Sequence, residues 1–534
     1  MRFRQKMIRT YAAIKFNGTQ SLTILSQLTG YSISSICRQI KKIKSRSHVV
    51  GASFFETSEG DKWLRTLVIA AILVFGLQAT VGADHLSLFF ELICVGSFVA
   101  VSSRSISRLK TVMMSKLADY QEELQPTLDA LSGNIHIIAG ADETFFERLL
   151  ILLYMDLGSG FILTAQNESN RRANTWHNNV SWISDKFKSI LCLVSDRGQA
   201  LIKLAKTSKI QSVAELYHLQ QSVVRLFKFA FSSKRRSFQK QERELQKTVK
   251  ELMDSKADEA LLKEYQQSLD TIKEKNITID KGQKAYKEEL KKISIAVHPF
   301  NEDSAPKESV TLTAELNSSL STLKKIAQAC GIDDTHNRLD YFNNNITPMS
   351  SLVDLWWLWV KGDVELQTQD PQLQEWLVNT LLPVYYWRQQ IKKSRASKDL
   401  KEYYSELYEK AKKALSDNPL INAYYTPQWC AWATEWVLKF QRSTSQVEGR
   451  NARLSEHHHR FRGMNESQIQ TQTILHNFWI TRQDGTTAAE RLFKIKPPNL
   501  FEWLLKNMPE LADPRQRKLK SANSVALSLT ALAA

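Results

Sequence analysis

The stretch NIHIIAGADETFFERLLILLYMDLGSGFILTAQ (134–166), joined through a polar segment to KSILCLVSDRGQALIKLA (188–205), decides how this chain reads. Two acids end apolar, β-branched runs: Asp142 in GADETFF and Asp196 in VSDRG. Residues 135–145 have strand composition, and Glu147-Arg148 marks a turn. RLLILLYMDL is a second strand, GSG a tight turn and FILTAQNE a third strand. In RRANTWHNNVSWISDKFK, residues Trp176, Val180, Ile183 and Phe187 fall on one helical face. SILCLVSD is then a fourth strand, GQALIKLA a helix, and KIQSVAELYH a fifth strand.

This order, βββαβα, is that of the ribonuclease-H-like fold. It also chooses between two early acids. With Asp156 on the first strand, only one strand would remain before the helix; with Asp142 there, the count is complete. Asp156 then falls beside GSG, where an acid commonly builds a turn. Carboxylates held on neighbouring rigid strands can place Mg²⁺ against a phosphate. A third acid of this kind, Glu448 in QVEGRNARLS, opens an amphipathic basic helix with Arg450, Arg453, Arg460 and Arg462. Asn451 and Ser455 lie on its face at i+3 and i+7. Three histidines in a row (457–459) cannot share one face, and they read as phosphate or solvent contacts.

The chain has 534 residues, too many for one ordinary core. Its hydrophobic content of 43% excludes a disordered chain. A net charge of +17 points to an anionic partner, nucleic acid first and an anionic membrane second. The five cysteines are scattered singly, without metal-ligand spacing, which fits a reducing, cytoplasmic compartment. The N-terminus, MRFRQKMIRTYAAIKF, has no secretory apolar region. Thr66 to Ala83 carries no charge, but Gln78, Thr80 and two glycines favour a buried helix over a membrane span.

The remaining segments are mostly helical. In SLTILSQLTGYSISSICRQIKKI (21–43), Leu22, Leu25 and Leu28 share one face and Gly30 marks a turn. The second helix ends in Arg38, Lys41, Lys42 and Lys44. This is a helix-turn-helix pattern, whose second helix enters a major groove. A second such unit is expected at FVAVSSRSISRLKTVMMSKL, with Arg104, Arg108 and Lys110 facing DNA, its helix stopping near Pro126. From Leu216 to Val297 apolar residues step by three and four, which predicts a helical hairpin or coiled-coil arm. Between Lys234 and Lys250 that arm carries seven basic residues and two acids, either a DNA-backbone contact or a solvated face. Two tryptophan clusters, DLWWLWV (354–360) and TPQWCAWATEW (426–436), knit helices together or stack on bases. Thr486 or Thr487 caps AAERLF with Glu490 in capping-box range, and 521–534 is a frayed tail.

Taken in order, these motifs resemble those of the DDE/DDE-like transposases of bacterial insertion sequences over roughly residues 20–495. The resemblance rests on the helix-turn-helix units, DETFF, SDRGQALIKLA, and EGRN followed by NFWITRQDGTTAAERLF. It implies a mixed, mostly α protein with a ribonuclease-H-like α/β core split by a large all-helical insertion. The expected segments are a helix-turn-helix unit at 1–60, a helical region at 61–130, and the first half of the core at 131–220. The insertion then occupies 221–440, the second half of the core 441–495 and a helical tail 496–534. The insertion resembles that of hAT-type transposases, in which a Cys-x-x-His pair ends strand five. Here the matching place reads Glu215-Leu-Tyr-His218, so only the histidine matches. Asp142, Asp196 and Glu448 would be the catalytic triad and would hold two Mg²⁺ ions, with Mn²⁺ as a substitute. Arg38, Lys41, Lys42, Arg104, Arg108, Arg197, Arg450 and Arg453 would meet DNA. The implied partners are transposon-end and target DNA and a second copy of the chain, in the cytoplasm at the nucleoid, without stable membrane association. The alternative is a DNA-binding regulator derived from a transposase and without catalysis.

Overall fold

A computed structural model describes residues 3–18, 21–147, 149–255, 258–394, 397–461 and 463–514. The expected tail at 521–534 and Arg462 lie outside the described residues. The protein is mostly helical, with one small mixed five-stranded sheet. It divides into two compact units, Met1–Ala130 with Glu456–Ala534, and Leu131–Ser455. Residues 456–495, expected with the second half of the core, therefore group with the N-terminal helices.

The sheet lies in the Leu131–Ser455 unit. Its strands are β1 (His136–Phe146), β2 (Leu149–Asp156), β3 (Ile162–Glu168), β4 (Ser189–Ser195) and β5 (Ser212–Ala214). The spatial order is β3-β2-β1-β4-β5. β1 to β3 are antiparallel neighbours, whereas β4 is parallel to β1 and β5 to β4. Every residue of β2 is buried, which explains its unbroken apolar run. Asp156 is the turn acid its place beside GSG predicts. Its carboxylate accepts from Ile138 N at 3.0 Å, Ser159 N at 2.7 Å and Ser159 Oγ at 2.6 Å. β5 is shorter than expected, because the helix Leu216–Asp254 begins within KIQSVAELYH and takes His218 into its first turn.

That helix and the next, Glu259–Ala296, form the antiparallel arm anticipated from the three-and-four spacing. Gly282 on the second of them lets Cys330, at the end of helix Ser309–Ala329, approach closely, since a Cβ there would collide with Cys330 Sγ. In the basic stretch, Arg235 pairs with Asp280 on the facing helix, while Lys240 and Lys247 reach Glu244 and Glu251 one turn on. The tryptophans knit helices. Trp356 Nε1 donates to Trp436 O at 3.1 Å and Trp357 Nε1 to Pro299 O at 3.0 Å. The indoles of Trp432 and Trp436 both donate to Asp363 Oδ2 at 2.8 Å. Each of these four indoles thus keeps a partner for its N–H, as burial requires.

In the other unit, helix Phe3–Asn17 packs on a pair, Leu22–Thr29 and Ile33–Ser45. Gly30 closes the first of the pair in the left-handed region, and the Ser32 side chain caps the second. Arg46 bonds to Glu56 with both partners buried. The 66–83 stretch is a helix running into a wider π turn, with Val68, Ile69, Ile72, Leu73 and Leu77 buried. Among the described residues no helix is long and apolar enough to cross a membrane. The helix Ser103–Ser132 does not stop near Pro126 but runs through it, held by the buried Leu124, Leu128 and Ser132. The Arg65 guanidinium donates to Leu505, Met508 and Pro509 carbonyls, and Tyr120 Oη to Pro498 O at 2.6 Å. These bonds attach residues 498–509 to the N-terminal helices. Thr487 caps Ala488–Phe493 in a full capping box with Glu490.

Candidate active site

Strand register brings the first two acids level. Gly140 on β1 pairs with Val194 on the parallel β4. Asp142 and Asp196 each follow two residues later, so they leave adjacent strands at one height and with the same parity. This is the carboxyl end of the parallel strands, where sheets of this kind gather ligands. Asp196 Oδ1 accepts from Gly198 N at 2.8 Å, which shapes the turn into helix Gln199–Thr207. Arg197 takes a left-handed φ of 61° in that turn, and Tyr341 Oη donates to Asp196 O at 3.0 Å.

Glu448 arrives from the other end of the unit. It lies in the first turn of helix Ser445–Phe461, where a carboxylate is favoured by the positive end of the helix dipole. Asn451, one turn on, donates from Nδ2 to Asp142 Oδ2 at 2.7 Å. This bond joins the helix to β1, and it places Glu448 on the side of the helix facing the sheet. Asp142, Asp196 and Glu448 are all partly accessible, whereas Asn451 is buried.

Charge makes the convergence visible. The Asp142 carboxyl is pushed up to about 7, first by burial, then by the charges of Glu448, Glu143 and Asp196. Neighbouring Glu143 is also raised by burial, against the pull of Arg171, which bonds to it at 2.6 Å. Among the described residues no lysine or arginine forms an ion pair with Asp142, Asp196 or Glu448. His218 is lowered by burial, against the opposing pull of the Asp196 and Glu448 charges.

The donors suit a hard divalent cation: carboxylate oxygens, uncompensated charge, and Asn451 Oδ1, a buried carbonyl oxygen with no hydrogen-bond partner. The arrangement is open. Among the described residues no three His, Cys, Asp or Glu side chains stand close enough together to hold a metal ion.

The basic residues separate into two groups. Arg38, Lys41, Arg104, Arg108 and Arg453 are exposed and Lys42 is half-buried, so each can reach a phosphate. Arg450 cannot do so as it stands. It is 3% exposed, its Nε and Nη2 have no partner, and burial lowers its pKa to about 9. Arg197 turns inward, donating from Nη1 to Ser212 O and Oγ at 3.0 Å, so it braces β5. His457 and His458 are buried and only His459 is exposed, which corrects the expectation of three phosphate or solvent contacts.

Sequence reasoning put Asn451 on the right face but did not foresee its bond to Asp142. It missed Tyr341, because no local pattern marks a residue whose partner lies far along the chain.

Residues 377–520 match the model of DUF6399, a family of unknown function. The matched stretch contains Glu448 and Asn451 and lies beyond Asp142 and Asp196. No curated protein matches the chain.

The raised Asp142 pKa has a measurable cost. Folded, the group keeps its proton up to about pH 7; its ordinary value is 3.8. Between those values the folded chain binds more protons than the unfolded one, so stability falls as pH rises through that window. Asp142→Asn removes the penalty. In EDTA at pH 8 the variant should be more stable than the wild type by about 1–3 kcal/mol, and the two should be alike near pH 3. Chemical denaturation at both pH values measures this, and equal midpoints at pH 8 contradict it.

Proposed function

We propose that this chain is a DDE-type transposase, a polynucleotidyl transferase that cuts DNA at the ends of a mobile element and joins them to a target. The observation that carries the reading is the convergence of Asp142, Asp196 and Glu448 at one end of the five-stranded sheet. The strand order β3-β2-β1-β4-β5 supports a ribonuclease-H-like core, and the 215–444 segment is then its helical insertion. The short pair Leu22–Thr29 and Ile33–Ser45, with exposed Arg38 and Lys41, supports a helix-turn-helix that docks on end DNA.

Cleavage forms a bond between water oxygen and phosphorus and breaks the P–O3′ bond, leaving a 3′-hydroxyl and a 5′-phosphate. In the joining step that 3′-hydroxyl attacks a target phosphorus, and the target's own 3′-oxygen leaves. Asp142, Asp196 and Glu448 would have to draw closer together to hold two Mg²⁺ ions, whose charge would activate the attacking oxygen and stabilise the charge developing on the phosphoryl group and the leaving oxygen. The protein's own contribution is placement. Asn451 holds the Asp142 carboxylate in one orientation through Oδ2. The Gly198 amide does the same for Asp196. Exposed Arg453, five residues beyond Glu448, would meet backbone phosphate. Two linked ends require two sites, which favours a homodimer on the DNA.

The test is a plasmid carrying the DNA that flanks this gene on both sides. The protein should nick it in Mg²⁺ or Mn²⁺ and leave it intact in EDTA. Tight, specific binding without nicking would favour the regulator that has lost catalysis.

A further inference from the structure

Two segments separated by the whole helical arm and the helices after it meet at one buried carboxylate. Glu215 follows β5 and is 2% exposed. An acid this deep is tolerated only when it is hydrogen-bonded or paired. Its Oε2 accepts from Thr444 N at 2.8 Å and from the Thr444 hydroxyl. Its Oε1 contacts His218 Nδ1. Its own amide donates to Ser195 O at 3.1 Å, one residue before Asp196.

Each contact leads to the acids. The Thr444 carbonyl accepts from Glu448 N at 3.0 Å, as the start of the Glu448 helix. Leu216 N donates to Arg442 O at 2.8 Å, and Arg442 Nη1 to Ser294 O at 2.7 Å and Val297 O at 2.9 Å. The returning chain is therefore tied down just before the helix begins, and the carboxylate in that joint is Glu215. With Nδ1 against Glu215 Oε1, His218 has Nε2 as its other ring nitrogen, and Asp196 and Glu448 act on the ring.

We propose that Glu215 is a positioning residue that closes the split domain: one oxygen fixes the first turn of the Glu448 helix, the other fixes the His218 ring, and its amide holds both to the end of β4. The joint stands on contacts alone; its consequence for cleavage rests on the transferase reading. Carboxylates that orient ligand-bearing groups in this way typically change activity by about 10–100-fold when removed.

Hydrogen exchange on the full chain, read in peptides covering 444–455, tests the joint without any DNA. Glu215→Gln should raise exchange there about tenfold, the loss of one charge-assisted hydrogen bond at 1.4 kcal/mol per factor of ten. Thr444→Val, which keeps the amide donor and the shape, should raise it less and in the same peptides. His218→Ala should leave it unchanged, because Thr444 uses the other oxygen. In the nicking assay Glu215→Gln should lower kcat about 10–100-fold with KM for DNA unchanged. Should Glu215→Gln loosen the whole chain, Thr444→Val decides: a rise confined to 444–455 supports the joint. Unchanged exchange at 444–455 in either variant overturns it. If the wild type never nicks DNA yet Glu215→Gln still loosens 444–455, the transferase reading falls and the joint remains.

Discussion

Asp142→Ala should abolish Mg²⁺-dependent nicking while the protein stays folded and bound to the DNA. Asp142 sits between the other two acids in the site's electrostatics: Glu448 and Asp196 both act on it, and Asn451 is bonded to it. Its removal takes away the central donor of the proposed cation site. Losing several kcal/mol of transition-state stabilisation slows the step by about a thousandfold or more, at 1.4 kcal/mol per factor of ten. Folding should not suffer, because the deleted carboxyl is held at a pKa that penalises the fold above neutral pH. The candidate DNA contacts Arg38 and Lys41 lie in a separate unit. Nicking rate and a gel-shift on the same preparation check both halves. A variant that cuts normally would remove Asp142 from the site.

Asp156→Ala should do the reverse. This acid is 4% exposed and accepts three hydrogen bonds, two of them from the buried amides of Ile138 and Ser159. Alanine takes this acceptor away from both amides. Each such loss costs about 1–3 kcal/mol, so the variant should be destabilised by about 3 kcal/mol or more. Denaturation of the Leu131–Ser455 unit reads this directly. Nicking per folded molecule should stay close to wild type. A stable Asp156→Ala that fails to cut would exchange the roles of the two acids.

The contrast between these acids also marks what the sequence can carry. β-branched runs, GSG and the helical spacing of Trp176, Val180 and Ile183 made the first four strands and the helix between them legible. The strand count then chose Asp142 over Asp156 for the first strand. The helical hairpin was legible for the same reason, since its apolar positions step by three and four within one segment. Burial of cations was not. Arg450 reads as surface in a basic helix, and only neighbours from other elements bury it. His457 and His458 misread in the same way. Pro126 reads as a helix stop, yet packing of Leu124 and Leu128 outweighs the missing amide. The Glu215–Thr444 contact depends on two residues brought together by the fold, so no window along the chain could contain it. β5 was overestimated because a strand of three residues leaves too little pattern to separate it from the helix that follows.

On the proposed reading Glu448 returns across the helical segment to complete a site with Asp142 and Asp196. Nicking of the flank-bearing plasmid by wild type and Glu448→Gln, side by side in Mg²⁺ and in EDTA, tests that return. The expected result is cation-dependent nicking by the wild type and none by Glu448→Gln, with both binding the DNA equally. Nicking by Glu448→Gln at the wild-type rate, or wild-type nicking that persists in EDTA, would contradict it.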